Sequence, residues 1–270
     1  MIEARILGCG SSGGVPRLGG PDGTGNWGAC DPSEPKNRRT RCSLLVTQKT
    51  SAGTTSVLVD TSPDMRQQLL DARATWLDGV LITHGHADQL HGMDDLRVFT
   101  INHGKRIDVW SDRATLKDVM QKFGYCFVQA PGSDYPPILN AHEIAEPFAD
   151  FSIAGAGGPI PVRAFGQRHG TIRSLGFRFG NLAYSPDVNG LDEGAAAALK
   201  GLDIWIVDAL RRTPHPSHFH LAKTLEWIEK IRPRRAILTD LHVDMDYQAL
   251  ARELPPGVVP AYDGMCITLG

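Results

Sequence analysis

The sequence predicts a layered α/β fold, and three observations predict it. Short apolar runs of strand character alternate with helical stretches along the whole chain. Hairpin-like runs occur in both halves. Hydrophobic residues make up 41% of the 270 and charged residues 21%, enough to bury a sizeable core. No linker divides the chain, so the expectation is a single domain over residues 1–270.

Taken in order, Ala4–Leu7 reads as a strand running into a glycine-rich turn. Residues 17–41, rich in Gly, Pro, Asn and Arg, read as a long functional loop. Ser43–Thr47 and Ser56–Asp60 follow as strands, Pro63–Ala72 as a helix and Gly79–Thr83 as an apolar strand. Ile107–Trp110 is a predicted strand, with Ser111 opening a helix to about Gly124. Residues 130–160 give no assignment. Pro161–Phe165, Leu175–Phe179, Leu182–Ser185, Asp203–Val207 and Ala236–Thr239 read as strands. Leu191–Leu199 and Ser217–Ile231 read as helices, the second with Ser217 as its cap.

Composition removes several function classes. The formal net charge is −2, so no global field favours extended nucleic acid or an anionic membrane. No apolar run approaches the ~20 residues that span a bilayer, and the start lacks the basic-then-apolar pattern of a signal peptide. The five cysteines are scattered and form no CxxC, so neither a disulfide framework nor a cysteine-rich zinc site is expected, and the chain reads as cytoplasmic. Gly8-Cys9-Gly10-Ser11-Ser12-Gly13 has the spacing of a dinucleotide fingerprint. Gly14-Val15-Pro16 follows, however, where the fingerprint needs a helix, and a tight turn fits better.

The densest chemistry lies in Thr83-His84-Gly85-His86-Ala87-Asp88-Gln89-Leu90-His91, at the end of an apolar strand. Histidines two apart in a turning loop can face one ion, and a carboxylate two further on can reach a second ion or orient a water. Imidazole and carboxylate suit zinc, manganese or iron. A second cluster, His215-Pro216-Ser217-His218-Phe219-His220, stands before a predicted helix. A histidine there can contact phosphate or, once protonated, give up its proton.

The first cluster resembles the HxHxDH signature of the metallo-β-lactamase superfamily, with Gln89 where the last histidine belongs. The resemblance implies an α/β fold built as a four-layer αββα sandwich. It implies that His84, His86 and His169 bind one metal. Asp187 would bridge to a second metal, held also by Asp88 and His242. Asp60 would support the ligands from behind. A glutamine amide is a poor ligand beside imidazole, so the second site is expected to be weakened. The late cluster resembles the histidine motif of phosphodiesterase branches, which implies that His218, and after it His215, assists the leaving group. The glycine-rich start, the long loop, and the pair His91–Arg97 and Leu241–Tyr247 together resemble the group containing phosphoribosyl cyclic phosphate phosphodiesterase.

The expected function is therefore metal-dependent hydrolysis of a small phosphodiester, cyclic or linear, with Zn or Mn as one or two ions. Asp88 would orient the attacking water. Arg38, Arg39 and Arg41 form a local basic run suited to reading phosphate. The expected partner is a small phosphorylated molecule, neither extended nucleic acid nor a membrane, and a homodimer is carried over from the relatives. The rival readings are a nucleotide- or cofactor-binding carrier of the same fold and a thioester or lactam hydrolase. His91, His103, His142 and His220 receive no role.

Overall fold

The computed structural model describes residues 2–146 and 148–269; Met1 and Gly270, the ends of the expected 1–270 domain, and Pro147 lie outside the described residues. The chain divides into two compact units.

The first unit comprises Met1–Arg5, Ser43–Val162 and Cys266–Gly270. Its sheet runs β14-β1-β2-β3-β4-β5-β6. The strands are β1 (Ile2–Gly8, which continues into the second unit), β2 (Ser43–Thr50), β3 (Gly53–Val59), β4 (Gly79–Leu81), β5 (Ile107–Ser111), β6 (Leu139–Glu143) and β14 (Cys266–Leu269). β2 and β3 form a hairpin closed by Thr50 opposite Gly53. β3, β4, β5 and β6 run parallel, so their carboxyl ends share one edge. Helices α1 (Met65–Asp71), α2 (Ala87–Leu90), α3 (Arg97–His103) and α4 (Arg113–Phe127) fill the connections. A 3₁₀ turn at Met93–Leu96 joins α2 to α3.

The second unit comprises Ile6–Cys42 and Arg163–Met265. β8 (Ile160–His169) starts in the first unit, where its first residues pair with β7 (Phe151–Ile153). It then pairs antiparallel with β9 (Ile172–Phe179) across a turn in which Gly170 has φ 59°, a left-handed value that Gly adopts without cost. The sheet continues through β10 (Leu182–Ser185), β11 (Ile204–Asp208), β12 (Arg235–Thr239) and β13 (Val258–Pro260), all parallel from β10 onward. Leu-Ala-Tyr-Ser and Ile-Trp-Ile-Val-Asp are near-continuous apolar runs because parallel strands are buried on both faces. Helices α5 (Glu193–Ala198), α6 (Leu221–Ile231) and α7 (Tyr247–Glu253) complete the unit. Leu199, Trp205, Val207, Phe219, Leu238 and Leu250 anchor its core.

The four expected helices α1, α4, α5 and α6 all begin later than the sequence reading, and for α4 and α6 the hydrogen bonds show why. α4 is capped by Asp112, whose carboxylate accepts the Thr115 N–H at 2.8 Å; Ser111 instead ends β5, its hydroxyl donating to the Ile82 carbonyl at 2.7 Å. α6 begins at Leu221, not Ser217. Ser217 is held out of the helix because its N–H donates to His215 Nδ1 (3.3 Å) and its carbonyl accepts from His169 Nδ1 (2.7 Å). The second histidine cluster is thus a loop. No helix follows the glycine-rich turn at 8–16, as expected.

Candidate functional site

In the first unit, the parallel pairing of β3 and β4 brings Asp60 beside the chain that leaves β4, its N–H donating to the Leu81 carbonyl at 2.8 Å. Asp60 is fully buried and takes φ 65°, a left-handed value rare outside glycine and common where structure serves a site. Its carboxyl accepts the Thr83 N–H (2.8 Å) and the Thr83 hydroxyl (3.0 and 2.9 Å). Burial pushes that carboxyl well above the usual range, against the Thr83 donors that pull it down. Because the Thr83 hydroxyl donates to Asp60, its oxygen accepts from His84 Nδ1 at 3.0 Å. His84 therefore carries its proton on Nδ1 and presents Nε2 as the basic nitrogen.

The His86 ring stands edge-on to His84, centroids 4.6 Å apart. His86 caps α2, which puts Asp88 in the first helical turn and turns the Gln89 side chain inward, 1% exposed. Gly85 is required by packing: a Cβ there would lie 2.6 Å from Asp118 Oδ2 on α4, and Lys122 of the same helix donates to the Gly85 carbonyl.

In the second unit, the carboxyl ends of three adjacent parallel strands each deliver an aspartate: Asp187 just past β10, Asp208 at the end of β11 and Asp240 just past β12. Asp187 and Asp240 take φ 47° and 61°. His169, closing β8, donates from Nδ1 to the Ser217 carbonyl and holds Nε2 3.8 Å from Asp187 Oδ1. His218 Nδ1 lies 2.8 Å from Asp208 Oδ2 and 2.9 Å from Asp240 Oδ2, and its Nε2 lies 3.9 Å from Asp187 Oδ1. The His169 and His218 rings meet edge-on at 4.7 Å, and His215 stands 5.1 Å from His218. Burial alone would lower the His218 pKa; the Asp208 and Asp240 carboxylates outweigh it and push the imidazole up to about 12. His215 is held below its ordinary value by burial and then by the neighbouring His218. His242, bonded through Nδ1 to Asp244 at 2.8 Å, is lowered by burial and then by the charge of Arg17.

Two groups in this unit have ligand atoms close enough to hold a cation: His169, Asp187 and His218, and Asp208, His218 and Asp240, each within 4.8 Å. The donor chemistry fits a borderline divalent metal. His169, anchored through Nδ1, presents Nε2 beside the Asp187 carboxylate, whereas His218 meets Asp208 and Asp240 through its own Nδ1.

Asp208 and Asp240 are the functional candidates that sequence reasoning missed. The available signal was an acid closing each apolar run, Ile204–Asp208 and Ala236–Asp240. The arginine trio comes apart. Arg38 lies over the Trp27 ring at 5.0 Å. Arg39 is buried, 2% exposed, and donates to the Met245 carbonyl (2.8 Å) and Asn37 Oδ1 (3.1 Å), so it braces the loop and is not displayed to a phosphate. Of the four histidines without a role, three are engaged locally, His91 against Phe123, His103 with the Thr75 carbonyl and His142 with Asp108, and His220 occupies the N-cap position of α6 without a side-chain bond to the helix.

Comparison with known proteins places this geometry. A crystal structure of a new diphosphatase from the PhnP family superposes with a TM-score of 0.86 at 29% identity, covering 100% of this chain and 98% of that one. Zn(2+)-bound PqqB from Methylobacterium extorquens superposes with a TM-score of 0.74 at 18% identity, covering 99% and 100%, a likeness of fold. An octanoyltransferase of Porphyromonas gingivalis (strain ATCC BAA-308 / W83) is 32% identical over 268 residues, 98% of this chain but 51% of that protein, so the chain spans about half the length of the curated relative it matches. Residues 55–240 match the family described as a beta-lactamase superfamily domain. With that match over more than half its length and the fold of the metallo-β-lactamase type, the chain belongs to the beta-lactamase superfamily and resembles its PhnP group.

Proposed function

We propose that the protein is a metal-dependent hydrolase of a small, phosphorylated substrate, cleaving a phosphodiester or diphosphate bond. The observation that carries this reading is His218, held by two carboxylates beside the His169–Asp187 pair. On this reading His84, His86 and His169 hold one ion and Asp187, Asp88 and His242 a second, with zinc or manganese as the metal. When bound, the metal supplies a hydroxide near neutral pH and neutralises phosphoryl charge. Asp88 orients the attacking water. Asp208 and Asp240 keep His218 protonated, so its Nε2–H faces the leaving oxygen and gives that oxygen its proton. His215, kept neutral, accepts a hydrogen bond from substrate. Arg38 and Arg41 receive the outer phosphate oxygens.

Gln89 puts a neutral amide where the family signature has an imidazole, so the second ion binds weakly. Net charge −2 suits a small substrate better than a nucleic acid. The protein is expected to work as one domain, in the cytoplasm, as a homodimer.

The test is elemental analysis joined to a panel of phosphodiesters, cyclic nucleotides and diphosphates. One tightly bound ion and metal-dependent turnover of a panel member are expected. Turnover of none, by the chain and by Gln89→His alike, overturns the reading and favours a carrier of the same fold. The name of the half-matched relative favours a second reading, hydrolysis of an acyl thioester; thioester cleavage without phosphodiester cleavage in the same panel would establish it.

A further inference from the structure

The first unit contains a cavity of about 400 Å³ lined by Arg97, Tyr125, Ala130, Ser133 and Tyr135, a volume in the range of small-molecule sites. Its two tyrosines are unusually open, 51% and 75% exposed, which leaves two aromatic faces in water. Neither Arg97 nor Tyr125 is loose. Arg97 is tied to Asp94 at 2.6 Å, and the Tyr125 hydroxyl also bonds Asp94. Asp94 further accepts from Cys126 Sγ at 3.7 Å. One carboxylate thus fixes a guanidinium plane and a phenol ring at the same wall. Ser133 Oγ accepts the Tyr135 N–H at 3.2 Å and keeps its own hydrogen to donate.

The cavity is also tied to the histidine loop. α4 touches that loop through Asp118 and Lys122, and Tyr125 follows Lys122 by three residues, past a break in helical geometry at Phe123 (φ −128°). Phe123 between them packs on His91, which closes the Thr83–His91 segment.

We infer that this cavity is a subsite for a planar heteroaromatic ring of nucleobase type, stacked on Tyr125 and Tyr135 with the Arg97 plane beside it. The inference rests on the phosphoryl-hydrolase reading and names its substrate class: a nucleotide whose phosphate lies at the histidine loop. Tyr125, held by its hydroxyl, offers a face without losing rotamer freedom on binding, and the exposed Tyr135 ring supplies the second face.

The probe is adenosine, which has no phosphate to bind a metal, with ribose as the control, measured by ligand-observed NMR on the intact chain. Adenosine is expected to bind and ribose not. Tyr135→Ala should weaken adenosine by about tenfold and Tyr135→Phe should restore it. Equal binding of adenosine and ribose, or adenosine binding indifferent to Tyr135→Ala, overturns the subsite. So does a change in sedimentation without a change in adenosine binding, which would make this wall a protein contact. Turnover of 2′,3′-cyclic AMP separates the two claims. Turnover with Tyr135-independent adenosine binding sinks the subsite alone, whereas Tyr135-dependent binding without turnover sinks the hydrolase reading alone.

Discussion

The histidine loop of the first unit and the aspartate–histidine cluster of the second solve one problem by different physics. Each must hold an imidazole by Nδ1 so that Nε2 faces outward. In the loop the anchor for His84 is neutral, the Thr83 hydroxyl, with the Asp60 carboxyl one step behind it. In the cluster the anchors for His218 are the carboxylates of Asp208 and Asp240 in direct contact. The neutral relay brings no charge to the His84 ring and leaves its Nε2 facing away from the anchor. The charged clamp does the opposite, keeping a proton on the ring across the physiological range. On the proposed reading, a ligand and a proton donor differ in how many charges touch Nδ1, and both devices sit at the carboxyl edge of parallel strands.

The sharpest way to break the comparison is to remove the clamped ring. His218→Ala should lower kcat by about 10²- to 10⁴-fold on substrates whose leaving alkoxide needs a proton. It should cost far less with p-nitrophenolate, which leaves without one. Steady-state kinetics on an alkyl and a p-nitrophenyl phosphodiester would check this, and equal losses would show that His218 is no proton donor. Asp208→Asn should reproduce the pattern more weakly, since Asp240 remains.

Asp263 shows what a buried carboxylate costs when no imidazolium faces it. It accepts from the Cys9 N–H (3.0 Å), the Thr40 N–H (2.7 Å) and the Thr40 hydroxyl (2.6 Å), all neutral donors. Burial outweighs them and pushes it up to about 6. A raised acid binds its proton more tightly folded than unfolded. Its contribution is therefore complete below about pH 4 and is lost as pH rises through about 6, on the order of 3 kcal/mol. Urea titrations of the chain at pH 4, 5, 6 and 7 should show that loss, and Asp263→Ala should flatten it. An unchanged slope in the variant would assign the pH dependence elsewhere.

What could be read from the sequence follows the same division. His84, His86, Asp88 and Gln89 lie within six residues, so their chemistry shows as a string, and Asp60 follows from the family resemblance that the string carries. Asp208 and Asp240 do not show, because each is a lone acid after an apolar run and gains meaning only when β11 and β12 pair. The Ser217 cap misread has a physical cause: His169 and His215, distant or local, claim the backbone and hydroxyl that a cap would need. Strands β10 to β12 are legible because burial on both faces makes their runs apolar, whereas β6 (Leu-Asn-Ala-His-Glu) and β14 (Cys-Ile-Thr-Leu) lie at sheet edges with little apolar signal. Arg39 reads in sequence as one of three basic residues, because sequence shows its charge and not its burial.

The smallest expected effect tests the neutral relay. Thr83→Val keeps the side chain's shape and removes the hydroxyl that links Asp60 to His84, leaving His84 Nδ1 without its anchor and the Asp60 oxygens with one donor fewer. Losing such an outer partner weakens metal binding by about tenfold, at the low end for these contacts, because the ring is still packed edge-on against His86. Competition with a chelator would measure it for the loaded protein. Thr83→Ser, which returns the hydroxyl, should recover the affinity. If Val and Ser behaved alike, packing rather than the hydroxyl would set the His84 tautomer. The two units would then orient their imidazoles by unrelated means, and the contrast between a neutral relay and a charged clamp would dissolve.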